Sequence, residues 1–386
     1  MLRVVQVGPG LDVKGGVSQV IRLILDSPPD NVAVSHLPTL PQKLAVSHYP
    51  RWRPEYYMKS FGILAHLLRT IRGLDVLCSS TDLFHIHVSV YGSTLRKYLI
   101  SRRLHRREAS FVLHNHGADY HIFYARLPQL LKRKVHQMFL WAKGTIALSE
   151  RWRIFHEQFV NMPTYPIWVL PNPVDLPRET CDQRSPALRI LYLGRFDARK
   201  GGARVVRALA TLPDSVRSRV FLHMAGDGEV DATRQLAHEL GLEAQVEVRD
   251  WIGGEEKQAW FRQTNSFILP SRDEGLPMAM LEAMAWGKAL IVSPVGGIPE
   301  FVTDGVEGFL VPPDDIDAIA DAIRKLAENP DLRAQMGMAA RKRVEPLDIQ
   351  HYRVRLGEIY REALGLATSA RLHAISDLGN PNHHSM

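Results

Sequence analysis

SRDEGLPMAMLEAMAWG, residues Ser271 to Gly287, is the stretch whose reading decides the fold. Just before it, Phe267 to Leu269 read as a short buried strand. Pro270, Ser271 and Gly275 then turn the chain toward a helix with Pro277 near its first position. A strand that passes through a tight turn into a helix is half of a βαβ unit, so the segment predicts a parallel sheet. It also sets a helix N-terminus above that sheet, where free N–H groups and the positive end of the helix dipole favour an anion such as a pyrophosphate. Glu274 falls in the loop, within reach of sugar hydroxyls, and Glu282 two turns into the helix, where it can accept from ribose hydroxyls.

The same rhythm runs outward in both directions. Upstream and downstream, strands are expected at Leu188–Leu193, Val220–Met224, Val246–Val248, Ser266–Leu269, Ala289–Val292 and Gly308–Val311. Residues 188–346 therefore read as one Rossmann-like domain. The first half repeats the pattern with strands at Leu2–Val7, Leu83–His87, Ser110–His114, Thr145–Leu148 and Ile167–Leu170, and a helix over Gly16–Leu25. Residues 1–175 form a second such domain, and the polar, proline-interrupted stretch Pro171 to Pro186 places a linker at 176–187. Helices over Asp315–Glu328, Pro330–Val344 and Ile349–Leu366 close the chain with no strand after them. Residues 347–366 are expected to pack back toward the first domain, and 367–386 to form a mobile tail.

Composition bounds the function. A chain of 386 residues with 45% hydrophobic and 23% charged residues is globular and long enough for two cores. Its two cysteines, Cys78 and Cys181, form neither a disulfide framework nor a metal motif, so a reducing cytoplasm is expected. The N-terminus has no leader-like apolar run and no apolar stretch is long enough to span a bilayer, so neither export nor a membrane span is expected. Charge is uneven: residues 1–175 hold 22 Lys and Arg against 11 Asp and Glu, and residues 176–386 hold 26 against 30. The first half is therefore expected to meet an anionic surface or ligand.

The residues also carry a resemblance. Glu274 and Glu282, with seven residues between them, are followed by Gly296–Gly297–Ile298–Pro299–Glu300 and Gly305–Val306–Glu307–Gly308. Upstream stand LYLGRFDARKGG (Leu191–Gly202), MAGDGE (Met224–Glu229) and DWIGGEEK (Asp250–Lys257). This set resembles the donor domain of family 4 retaining glycosyltransferases, which implies a GT-B fold: two Rossmann-like domains facing across a cleft. GPGLDVKGGVSQVI (Gly8–Ile21) is similar to the family's N-terminal glycine loop. HIHVSVYGSTLRK (His85–Lys97) and FVLHNHGADYHIFY (Phe111–Tyr124) resemble members that assemble bacterial exopolysaccharide, capsule or lipopolysaccharide.

The resemblance implies roles. Arg195 and Lys200 form a cationic clamp on the donor diphosphate, together with the N–H groups near Gly15 and Gly16 and at Leu276 and Met278. Glu274 orients the donor sugar, Glu282 holds the ribose, and His116 bonds the sugar near the reacting centre. Gly226, Ile252, Gly275 and Pro277 complete the donor site, and Asp119 lies on the acceptor side. The donor would be a UDP-sugar or GDP-mannose, used without a cofactor or essential metal. The acceptor would be a glycan or a polyprenyl-pyrophosphate-linked chain, met in the cytoplasm or on the inner face of the cytoplasmic membrane.

Plainer readings compete. Taken alone, Gly8–Pro9–Gly10 is no dinucleotide fingerprint, because Val13 stands where the third glycine belongs, and no phosphate-binding lysine motif follows. His85 and His87, and likewise His114 and His116, lie two apart on strands and share a face. Without a nearby cysteine or carboxylate they are not expected to bind metal, and His85, His87 and His114 are expected to be structural. The basic stretches at Arg51–Ser60, Ser93–Glu108 and Leu131–Lys143 are either solvated faces or a surface for anionic lipid; nucleic acid is not expected, since no binding module accompanies them. A hydrolysing nucleotide-sugar epimerase and a non-catalytic nucleotide-sugar sensor are the alternative functions.

Overall fold

A computed structural model of the chain describes residues 1–41, 54–179 and 183–366, without the side chains of residues 54–61. The expected tail at 367–386, Cys181, and the side chains from Arg51 to Ser60 lie outside the described residues.

The first domain runs β1 (Leu2–Gly8), α1 (Gly16–Asp26), β2 (Val32–Pro38), α2 (Pro54–Cys78), β3 (Leu83–Val88), α3 (Gly92–Arg106), β4 (Phe111–Asn115), α4 (Tyr120–Ala125), α5 (Gln129–Trp141), β5 (Thr145–Ala147), α6 (Glu150–Val160) and β6 (Ile167–Val169). Its six strands are all parallel, in the order β2-β1-β3-β4-β5-β6. The sequence reading passes over β2. Its residues are mostly half-buried at the sheet edge, and Ser35, His36 and Pro38 break the apolar pattern that marks the inner strands. The inner strands β3 and β4 are buried along their whole length, as parallel strands covered on both faces must be.

The second domain runs β7 (Leu188–Leu193), α7 (Gly202–Ala210), α8 (Asp214–Arg217), β8 (Val220–Ala225), α9 (Val230–Glu239), β9 (Val246–Arg249), α10 (Gly254–Gln263), β10 (Ser266–Leu269), α11 (Met278–Ala285), β11 (Ala289–Val292), β12 (Gly308–Leu310), α12 (Ile316–Glu328) and α13 (Pro330–Val344). The sheet order is β12-β11-β10-β7-β8-β9, again parallel. Strand order reverses direction between β1 and β3 in the first sheet and between β7 and β10 in the second. In open parallel sheets the crevice at the carboxyl ends of the strands beside that reversal is where ligands bind, because the two flanking loops diverge to opposite faces.

The last helix, α14 (Ile349–Ala363), leaves the second domain and lies on the first. Tyr352, Leu356, Ile359 and Tyr360 are buried against Val4, Val20, Leu83, Val112 and Ile146. Polar bonds fasten it further: Trp168 Nε1 donates to Glu362 at 2.7 Å, and Arg353 Nε donates to the Pro28 carbonyl at 3.0 Å. The two chain crossings between domains touch each other. Val174 N donates to Leu347 O, and Ile349 N to Val174 O, both at 2.9 Å. A paired hinge of this kind confines relative domain motion to a narrow region.

Candidate active site

The loops at both strand-order reversals open into one cleft. Its cavity of about 540 Å³ is lined from the first domain by Gly15, Gly16, Gln19, His116 and Asp119. From the second come Arg195, Lys200, Gly226, Ile252, Glu274, Gly275, Leu276, Pro277 and Glu282. Every residue to which the resemblance assigns a site role thus borders the same space.

Two helices point their N-termini into it. Helix α11 begins at Met278 with Pro277 as its cap residue, one place earlier than the first-turn position read from the sequence, and no side chain caps it. Helix α1 begins after Gly15, also without a side-chain cap. Gly15 adopts φ +147°, ψ 164°, a conformation reserved in practice for glycine. Orphan N–H groups from two domains, with the positive ends of two dipoles, make the cleft attractive to an anion.

Charged side chains complete this end. Lys200 Nζ lies 2.5 Å from Glu274 Oε1, and both side chains are largely buried. The Lys200 loop is set by its own N–H, which donates to Asp197 Oδ1 at 2.8 Å. Arg195 contacts Asp227 at 3.3 Å and Asp197 at 3.4 Å. Glu274 is positioned by a close approach of two backbones: Gly296 has φ +57°, and a Cβ there would fall 1.7 Å from the Glu274 carbonyl oxygen. Asn172, buried near the first crossing, donates to the Leu276 carbonyl at 2.9 Å and ties the same loop to the hinge.

The other end of the cleft is edged by aromatic side chains. A connected cavity of about 480 Å³ is bounded by Trp251, Ile252, Phe261, Met278 and Trp286, with Gly15, Ser18 and Gln19 opposite. This lining suits a planar base with a ribose beside it. Glu282 accepts from Lys257 Nζ at 2.6 Å and from Gln19 Nε2 of the other domain. Gln19, Lys257 and Trp251 were not singled out in the sequence. Lys257 ends the quoted DWIGGEEK stretch, and Gln19 stands three residues after Gly16, on the first turn of α1, where a polar side chain faces the helix mouth.

His116 stands at the floor between these ends, half-buried just past β4. Burial holds its imidazole down to about 3. Asp119 takes the Tyr91 hydroxyl at 3.4 Å on the outer side. Across the cleft, burial raises the Asp273 carboxyl, and the charge of Asp119 raises it further. The ring nitrogens of His85, His87 and His114 come within 4.8 Å of one another, a spacing that could gather a metal ion. Both nitrogens of His85 and both of His87 already bond to protein atoms, however.

Chemically, the site can hold a diphosphate between two helix ends, Arg195 and Lys200. It can hold a pentose by Glu282, and present Glu274 and His116 to a group attached to the diphosphate.

Residues 182–343 match the family model described as glycosyl transferases group 1. Over 187 residues the chain is 32% identical to the D-inositol 3-phosphate glycosyltransferase of Streptomyces scabiei, covering 46% of this chain and 42% of that protein. Over 159 residues it is 32% identical to the GDP-mannose-dependent alpha-(1-6)-phosphatidylinositol monomannoside mannosyltransferase of Mycolicibacterium smegmatis, covering 39% of this chain and 42% of that protein. The match thus spans less than half the length of these curated relatives. Among solved structures, sucrose-phosphate synthase from Thermosynechococcus elongatus superposes with a TM-score of 0.75 at 20% identity, over 95% of this chain and all of that one. HepE of Anabaena in complex with UDP-glucose superposes at 0.71 and 17% identity, over 94% of this chain and all of that one. At such identities the likeness shows the fold, which is GT-B. The second domain is thus similar in sequence to the glycosyl transferases group 1 family, over residues 182–343.

Proposed function

We propose that the protein transfers a sugar from a nucleoside diphosphate sugar to a glycan or lipid-linked acceptor, with retention of anomeric configuration, in the synthesis of a bacterial surface polysaccharide. One observation carries the reading: two uncapped helix N-termini, one from each domain, meet Arg195 and Lys200 around a single cleft. In this reading the diphosphate lies between the helix ends, and its growing charge on departure is matched by the two cations. The base lies against Ile252 and Trp251, the ribose on Glu282, and the sugar between Glu274 and His116. The leaving diphosphate helps to deprotonate the acceptor hydroxyl on the same face of the sugar, so no protein nucleophile is needed. Side-chain cations neutralise the diphosphate without an essential metal. Asp119 and Tyr91 face the acceptor, and hinge closure excludes water that would hydrolyse the donor.

A UDP-sugar and GDP-mannose both suit the aromatic-edged base pocket. HepE of Anabaena is recorded with UDP-glucose, and the M. smegmatis relative is described as GDP-mannose-dependent. The basic first domain favours an acceptor presented at an anionic membrane, with the protein peripheral on the cytoplasmic face; no described helix is long and apolar enough to cross a membrane.

The test is a thermal-shift screen of UDP, GDP, ADP and their sugar conjugates, followed by NMR of the product's anomeric centre. The true donor raises the melting temperature by mass action. Failure of every nucleotide to stabilise the fold defeats the proposal. A retained anomer supports it, an inverted anomer overturns the retaining assignment, and isomerised sugar without acceptor identifies a hydrolysing epimerase instead.

A further inference from the structure

The histidines beneath the cleft form a directed chain of hydrogen bonds. Gln6, a polar residue in the middle of the buried strand β1, turns its amide oxygen to His87 Nε2 at 2.6 Å and its amide nitrogen to the Tyr360 hydroxyl at 2.8 Å. An amide oxygen only accepts, so His87 carries its proton on Nε2 and offers a bare Nδ1. That Nδ1 lies 2.9 Å from His116 Nε2, which must therefore donate. Tyr360 accepts from Gln6, and its own proton is assigned to His85 Nδ1 at 2.8 Å, which satisfies the buried hydroxyl in both roles. His85 in turn donates through Nε2 to His114 Nδ1 at 3.1 Å.

Gln6, His85, His87, His114 and Tyr360 are buried, and burial holds the imidazoles neutral and the phenol protonated. Neutral rings have one donor and one acceptor each, so the direction set at Gln6 propagates along the chain. His116 is left with its Nε2 proton committed inward. Its Nδ1 is left as a lone pair on a residue that lines the cleft.

We propose that Tyr360, Gln6 and His87 are positioning residues that fix His116 as a hydrogen-bond acceptor toward the transferred group, which makes helix α14 part of the sugar site. The inference rests on the reading of His116 as the residue that meets the donor sugar. A bare imidazole nitrogen accepts from a hydroxyl and repels a carboxylate. The sugar position facing His116 is therefore a hydroxyl, and donors carrying a carboxylate there are rejected. Tyr360 is 244 residues from His116 in the chain. Only the return of α14 onto the first domain brings its hydroxyl under the cleft.

Side-chain NMR of histidine-labelled full-length protein tests this, because the nitrogen shifts of a neutral imidazole report which nitrogen bears the proton. His116 and His87 are expected as neutral Nε2–H tautomers. Tyr360→Phe removes the hydroxyl that holds the Gln6 amide in one orientation, and Gln6→Met removes the amide with little change in volume. Each is expected to shift His116 away from the pure Nε2–H form. Each should also lower kcat about tenfold with little change in KM for whichever of UDP-glucose and GDP-mannose stabilises the native protein. A cationic or Nδ1–H His116 in the native protein overturns the proposal, as does an unchanged His116 tautomer in both variants. Zinc retained stoichiometrically with shifted His85, His87 and His114 signals also overturns it. If no nucleotide or nucleotide sugar of the screen binds, the functional reading fails, while the tautomers still decide the network.

Discussion

Lys200 and Glu274 form an ion pair, Nζ to Oε1 2.5 Å, in which both partners are withdrawn from solvent. The pair joins the loop after β7 to the loop before α11, across the strand-order reversal of the second sheet. Two charges in such a site are costly apart and tolerable together. Removing one leaves the other uncompensated, so Lys200→Ala or Glu274→Ala is expected to abolish transfer and to lower stability by about 3 kcal/mol. Circular dichroism should still report a folded protein. The double variant Lys200→Met/Glu274→Gln should recover most of the stability and none of the activity. Recovery of activity would make the pair a structural one.

Glu282 is the only described acidic residue that lines both connected cavities, and two groups already donate to it. A ribose held by this carboxylate makes charge-assisted hydrogen bonds of about 1.5–3 kcal/mol. Calorimetry should show Glu282→Ala weakening nucleoside diphosphate binding by about tenfold to a hundredfold. The 2′-deoxy nucleotide should lose part of that increment with the native protein and little with the variant. Equal losses in both proteins would place the ribose elsewhere.

Gly15 has no heavy atom within 4 Å of the position a Cβ would take, so space does not limit it. Its backbone conformation does. Gly15→Ala is expected to cost about 1–3 kcal/mol locally, as strain or as a displaced start of α1. Since the loop is at the surface of the cleft, the melting temperature should move little while donor affinity falls about tenfold or more. A large fall in melting temperature with unchanged affinity would contradict an anion site at this helix end.

Acid should unfold the protein early. His85 and His156 are fully buried, and their imidazoles are pushed down to about 3, by burial for both and additionally by the charge of His116 for His85. In the unfolded chain each takes a proton near pH 6.5. The folded value lies below the unfolded one, so stability is full above about pH 6.5 and declines as pH falls toward 3. Within that window each ring contributes a slope of about 1.4 kcal/mol per pH unit. Urea midpoints measured from about pH 7.5 down to about pH 5 should fall steeply below pH 6.5. A flat profile would show that these rings are not held neutral.

The first domain exposes Leu64, Leu68, Leu130 and Leu140 on α2 and α5, and carries Arg102, Arg103 and Arg106 on α3, Arg107 just past it, and Lys132, Arg133 and Lys134 on α5. Arg103 and Arg107 share Asp75 as a partner. Co-sedimentation with vesicles rich in anionic lipid is expected at low ionic strength and should be lost near 0.5 M salt, about where screening shortens to a few ångströms. Binding that ignores salt, or no binding at all, would speak against a membrane-presented acceptor.

The alternation of strands and helices, both domains, and the Glu274–Glu282 helix mouth were legible in the sequence, because periodicity, turn chemistry and caps are properties of neighbouring residues. The strand β2 was not, since an edge strand need not be apolar on both faces. Gln6 carried a signal, a polar side chain within a buried strand, but its meaning waits on partners contributed by β3 and α14. The order of strands, the return of Tyr360 beneath His116, and the contact of Gln19 with Glu282 were decided only by the tertiary structure. Each joins residues more than 200 positions apart in sequence, or strands out of sequence order. Such pairings follow from which apolar faces bury one another, a condition that no local stretch of sequence contains.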